Sequence, residues 1–145
     1  MRNEVQADNR QAVFGADLRL LESAGTRDLV ADRDGDLALA RGNENIAQAL
    51  SLRLMVRRGE LAALGFPDYG SRLHELIGAP NNQRTRVTAM GHARTAVEQD
   101  PRVEQVRSVV ASAIEHDVVR LEMAVDLIRE KTPFNLVFDL RLGSR

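Results

Sequence analysis

The chain has no cysteine and no tryptophan among its 145 residues, and only one tyrosine, four phenylalanines and four prolines. Without thiols, neither a disulfide framework nor thiolate metal ligation is available, and folding in a reducing cytosol needs no special arrangement. Aromatics at 3% leave little for a base-stacking platform or an aromatic sugar-binding cleft. An excess of one charge is also missing. The formal net charge is −1, whereas domains that neutralise phosphates carry a basic excess, so no nucleic acid partner is expected. No run approaches the roughly 20 apolar residues that span a bilayer, and the opening MRNEVQADNRQ lacks a signal-peptide apolar core. Direct membrane insertion is not expected, and export would need another route.

What remains is 43% hydrophobic and 28% charged, the balance of one soluble domain with a modest core. No repeat or low-complexity block divides it. Residues 1–12 are polar and unpatterned and read as a flexible arm, leaving residues 13–145 as the domain. A short strand is predicted around residues 16–21. In residues 29–41, LVADRDGDLALAR places Asp34-Gly35 between apolar flanks, the signature of a tight hairpin turn. A helix follows over residues 45–58, with Asn43 or Asn45 as cap, Ile46, Leu50 and Leu54 on one stripe, and Gly59 as stop. Leu52, Met55 and Val56 lie outside that stripe, which predicts cover on more than one side.

A short helix over residues 71–77 and a longer one over residues 83–98 come next. The longer one carries Val87, Met90, Arg94 and Val97 on a stripe whose arginine must snorkel or pair. The last third is β structure. Residues 102–114 are valine-rich with a slipping alternation that suggests a bulge. In VVRLEMAVDLI, Val119, Leu121, Met123, Val125 and Leu127 oppose Arg120, Glu122 and Asp126, after a turn at Glu115-His116-Asp117. The final strand alternates likewise, Phe134, Leu136, Phe138, Leu140 and Leu142 against Asn135, Asp139 and Arg141. The fold class is therefore α+β, helices packed on a mainly antiparallel sheet. Its last strand is either an ordinary member of that sheet or an edge available for pairing with another subunit.

Catalytic readings fail on spacing. His74-Glu75 opens like an HExxH zinc motif, but Gly78 stands where the second histidine belongs. Asp32, Asp34 and Asp36 mimic the start of an EF-hand loop, yet Leu37 and Asn43 occupy positions that need glycine and glutamate. His92 and His116 form no marked metal pair. Ser51, Ser71, Ser108 and Ser112 lack a nucleophile elbow, and no phosphate loop is present. Glu60 with Asp68 is the least arbitrary carboxylate pair, and twenty-one acids would supply some such pair in any domain of this size. No catalytic, cofactor or metal residue is assigned, and no enzyme is expected.

The ordered series GDLALARGNENIAQAL, RRGELAALGFPDYGSRL, QDPRVEQV and two valine-rich strands resembles the short baseplate-wedge family of contractile phage tails. Its relatives include sheath initiators of injection particles and a baseplate subunit of type VI secretion systems. The likeness runs over residues 29–142. It implies a non-enzymatic subunit that surrounds the tube–spike junction and gives the contractile sheath its first docking layer through strand exchange. The implied partners are the sheath protein, the inner tube and hub or spike proteins, and other wedge proteins, with about six copies around the tube. Synthesis and assembly in the cytoplasm, then incorporation into a phage-tail-like particle, follow from the same resemblance.

Family positions map onto particular residues. The family's Glu-Pro-Arg triplet corresponds to Asp100, Pro101 and Arg102, with aspartate in place of glutamate, and implies a baseplate interface; a salt bridge within the chain is the alternative for Arg102. Strand exchange with the sheath would fall on Phe134, Asn135, Leu136, Val137, Phe138, Asp139, Leu140, Arg141 and Leu142. Gly59, Glu60, Asp68, Tyr69 and Gly70 match further family positions and read first as shape-determining, with Tyr69 anchoring its loop. Two rivals share the resemblance: an anti-adaptor-like protein-binding module, and a lysozyme-like enzyme cleaving peptidoglycan.

Overall fold

The last three strands decide the architecture. β5 (Val103–Glu115), β6 (Val118–Leu127) and β7 (Phe134–Arg141) form one antiparallel sheet in the order β5-β6-β7. This computed structural model describes residues 16–23, 26–29, 33–34 and 39–143. By contacts the chain divides into two compact units, Met1–Leu50 and Ser51–Arg145. The predicted arm, residues 1–12, lies outside the described residues, as do Asp32, Gly35 and Asp36.

Among its described residues the first unit has two short antiparallel pairs. β1 (Ala16–Leu18) pairs with β4 (Leu39–Arg41), and β2 (Leu20–Ser23) with β3 (Thr26–Leu29). The hairpin expected over residues 29–41 therefore does not close on itself among the described residues. A turn does form at residues 33–34, but the strands that flank it pair with earlier partners. Nearest-neighbour turn chemistry is blind to such nesting. The break at Arg19 between β1 and β2 is bridged from α1 (Asn43–Met55): Gln48 Nε2 donates to the Leu18 carbonyl at 2.7 Å, and its Oε1 accepts from the Leu20 N–H at 2.9 Å. Ile46 and Leu50 are fully buried and Leu54 nearly so, the expected stripe. Met55 stays 46% exposed, so the broader cover expected from Leu52, Met55 and Val56 is not found at that residue.

The second unit has the α+β arrangement expected. α2 (Gln83–Glu98) begins where Asn82 caps it, its side chain accepting from the Thr85 N–H, and packs on β5, β6 and the short 3-10 turn Leu73–Leu76. That turn replaces the helix expected over residues 71–77. The buried face of α2 is Thr85, Ala89, Ala93, Ala96 and Val97, whereas Val87 is 54% exposed. Of the expected stripe Val97 is buried, but the face as a whole is rotated from it, because the stripe follows the large side chains. The helix instead presents its alanines, which let it approach the sheet closely. Arg94 pairs as required, Nη1 donating to the Val106 carbonyl at 2.8 Å.

β6 is the central strand, and Val119, Leu121, Met123, Val125 and Leu127 are all essentially buried. β5 carries the anticipated irregularity, with register shifts between Val103 and Gln105, Val106 and Ser108, and Ala113 and Glu115. β7 pairs with β6 in unbroken register from Phe134↔Val125 to Arg141↔Val118.

Candidate functional site

The residues singled out along the chain converge on two places in the second unit. The first is the start of β5. Asp100 is 2% exposed, and its carboxylate holds Arg102 in three ways: Oδ1 accepts from the Arg102 backbone N–H and from Nε, both at 2.9 Å, and Oδ2 accepts from Nη2 at 2.7 Å. Arg53 Nη2, from α1, lies 3.9 Å from the same Oδ2. Burial alone would raise the Asp100 pKa, but the Arg102 hydrogen bonds and the two guanidinium charges outweigh it, and the net shift is below the usual carboxylate value. Arg102 is shifted upward, chiefly by the same hydrogen bond. Aspartate suits this geometry because its short side chain reaches the N–H two residues on. The local salt bridge is thus what the Arg102 fork does within the chain.

The GE and DYG residues build the support beneath. Ser71 Oγ donates to the Leu54 carbonyl at 2.6 Å, the Ser71 N–H to Val56 O at 2.9 Å, and the Arg58 N–H to Ser71 O at 3.0 Å, so Arg57, just past the end of α1, and Ser71 form a parallel bridge. Gly70 has φ +108, and a Cβ there would stand 2.6 Å from Val56 O. Only glycine lets the two backbones meet. The Glu60 carboxylate accepts from the Arg57 N–H at 3.2 Å, and Asp68 lies 3.5 Å from Arg58. Both acids have structural partners. The Tyr69 ring carries the Arg53 guanidinium 4.5 Å from its centroid. An open cleft of ≈ 540 Å³ lies alongside, lined by Arg53, Arg58, Phe66, Asp68, Tyr69 and Gln99 among others; Phe66 is 58% exposed. Arg53 and Arg58 were not singled out in the sequence, and Ser71 was weighed there only as a nucleophile. No spacing rule links residue 53 to residue 100, although the serine following the DYG run was a visible signal.

The second place is β7. Leu142 N–H donates to Asp117 O at 2.6 Å, which continues the β6–β7 register by one pair. Antiparallel alternation then turns the backbone groups of Phe134, Leu136, Phe138 and Leu140 toward β6 and those of Asn135, Val137, Asp139 and Arg141 outward. Leu136, Leu140 and Leu142 are buried, whereas Val137 is 56% exposed. Arg120 and Asp139, directly opposite, close a two-point ion pair at 2.8 and 3.0 Å. Gly78 N–H donates to Leu142 O at 2.7 Å and caps the far end. Among the described residues no strand lies beyond β7 in this sheet.

The description "contractile injection system sheath initiator" matches residues 19–130. The chain belongs to the sheath-initiator family. That family is structural, and membership associates this chain with the baseplate and sheath components of a contractile injection system. Among solved structures, the chain is similar to a proposed tail lysozyme from Geobacter sulfurreducens. The identity is 27% and the TM-score 0.58, over 68% of this chain and 89% of that one. No curated protein matches. The match to the sheath-initiator family ends before β7, so the terminal strand rests on its own geometry. Among the described residues of this sheath initiator, no group of three or more His, Asp or Glu could hold a metal ion, and no helix is long and apolar enough to cross a membrane.

Proposed function

We propose that this chain is a non-enzymatic subunit at the tube–spike junction of a contractile injection system, present in about six copies, and that β7 receives a strand from the first sheath layer. The observation that carries the strand reading is the contrast between the two sheet edges. β5 is broken by three register shifts, and bulges twist an edge away from recruiting another strand. β7 has none, and it offers outward backbone groups from Asn135 to Arg141. Strand addition joins subunits through such groups without any catalytic side chain.

The baseplate-facing surface is assigned to the exposed turn at Pro101 and the neighbouring cleft lined by Phe66, Tyr69 and Gln99. In this reading Asp100 and Arg102 keep that surface in shape, and tube, spike and wedge proteins are the remaining partners. Assembly in the cytoplasm into a phage-tail-like particle follows. The name of the structural neighbour raises a muralytic alternative, against which stand the local partners of Glu60 and Asp68.

Because the chain is free of cysteine, a single thiol placed by Val137→Cys reports what lies along β7. A short thiol cross-linker applied to assembled particles is expected to join this position to the sheath subunit, while Glu104→Cys on β5 yields no sheath adduct. Adducts only with wedge or tube proteins would contradict the assignment. A lone adaptor partner, or peptidoglycan fragments released by the purified chain, would overturn the structural role itself.

A further inference from the structure

A second, smaller pocket of ≈ 90 Å³ lies between the residue 70–72 turn and α2, lined by Arg58, Gly70, Ser71, Arg72, His92, Thr95, Ala96 and Gln99. Three of these side chains can carry positive charge, and no carboxylate lines the space. The acids paired with its two arginines are not among the lining residues: Asp68 is 3.5 Å from Arg58, and Glu75 3.0 Å from Arg72 Nε. Glu75 also stands 3.9 Å from His92 Nε2. The volume is far below the roughly 300–1,000 Å³ of pockets for drug-sized ligands, and has room for a few waters or one small polar group.

His92 reports the local field. Its pKa is held below the ordinary imidazole value, first by burial and next by the Arg72 charge, with His74 adding to the depression and Glu75 opposing it. A negative charge here would be favoured by the Arg58 and Arg72 guanidinium groups and would oppose the depression of the His92 pKa. The two hydroxyl protons are committed elsewhere, Ser71 Oγ donating to Leu54 O and Thr95 Oγ1 to Gly91 O, so the cations are the pocket's partners for an anion that do not depend on a hydroxyl.

We propose that this pocket is a binding site for a single carboxylate. Two guanidinium forks suit a planar two-oxygen group, and the volume accepts that group with a methylene or two. The carboxylate comes either from an acidic side chain of a docked protein or from a small free acid. The site's chemistry is independent of the sheath reading.

The test uses the full-length chain and acetate as probe, with the His92 imidazole followed by NMR at constant ionic strength against chloride. Acetate is expected to move the His92 signal saturably and to raise its titration midpoint. Arg58→Gln abolishes the response, whereas Asp68→Asn, which breaks the same Arg58–Asp68 pair but keeps the cation, retains it. A response equal to that of chloride, or one unchanged in Arg58→Gln, would overturn the site. Given a specific response, the retention of Arg58→Gln in purified particles distinguishes the sources. Loss from particles supports a docked protein's carboxylate, and normal retention supports a free acid.

Discussion

Asp100 shows how much one side chain can decide in a protein without catalytic chemistry. Its carboxylate is almost inaccessible, yet it is ionised because Arg102 and Arg53 surround it. Removing one member of a buried pair costs about 3–5 kcal/mol, and the partial exposure of Arg102, 23% of its side chain, places this pair at the lower end. Asp100→Asn is therefore expected to lower unfolding stability by about 3 kcal/mol at pH 7, read by urea denaturation. The pH dependence follows from the direction of the shift. The folded pKa lies below the unfolded reference of 3.8, so the unfolded chain takes up the proton first. The Asp100 contribution is complete above that reference and is lost as pH falls through the lower folded value. The difference between wild type and Asp100→Asn should narrow in acid; a constant difference down to the acid transition would contradict the ionised buried carboxylate. The sequence displayed Asp100, Pro101 and Arg102 as a motif but left open whether the arginine points outward, since three adjacent letters carry no record of Arg53.

At the scale of elements, what was legible followed period and punctuation. α2, the alternation of β6 and β7, and the irregularity of β5 were all readable. Asn82, the alternating valines and leucines, and Pro101 act locally and leave local marks. The buried face of α2 was misread because Ala89, Ala93 and Ala96 seat the helix by being small, which a search for bulky residues overlooks. The pairing of β1 with β4 was hidden for a different reason: the Asp34-Gly35 signal is local, whereas the partners are separated in sequence. The bridge between Arg57, just past the end of α1, and Ser71 was equally nonlocal, and its readable traces were Gly70 and the serine after it. Gly70→Ala should cost about 1–3 kcal/mol from backbone strain alone, with a further loss from the 2.6 Å approach to Val56 O. Gly59→Ala shares the positive φ but meets nothing within 4 Å. Thermal denaturation should therefore rank Gly70→Ala well below Gly59→Ala; equal midpoints would contradict the need for glycine at the close approach to Val56.

At the scale of the whole molecule, the same residues that were open to an interface reading also hold the fold, and this changes which experiments are informative. Deleting residues 134–145 would strip Leu136, Leu140 and Leu142 from the core along with any docking edge. Arg102→Glu would set two acids against each other at Asp100. Neither result could be assigned to assembly. An outward N–H on an edge strand, by contrast, can be removed by proline while the strand keeps its own partner. Val137 occupies such a position on the alternation fixed by Leu142 and Asp117. The most direct measurement is thus electron microscopy of particles assembled with Val137→Pro, after confirming that the variant folds and enters baseplates. The strand-pairing account predicts baseplates that retain the subunit and carry tubes but no polymerised sheath. Full-length sheaths on particles containing the proline variant would contradict it.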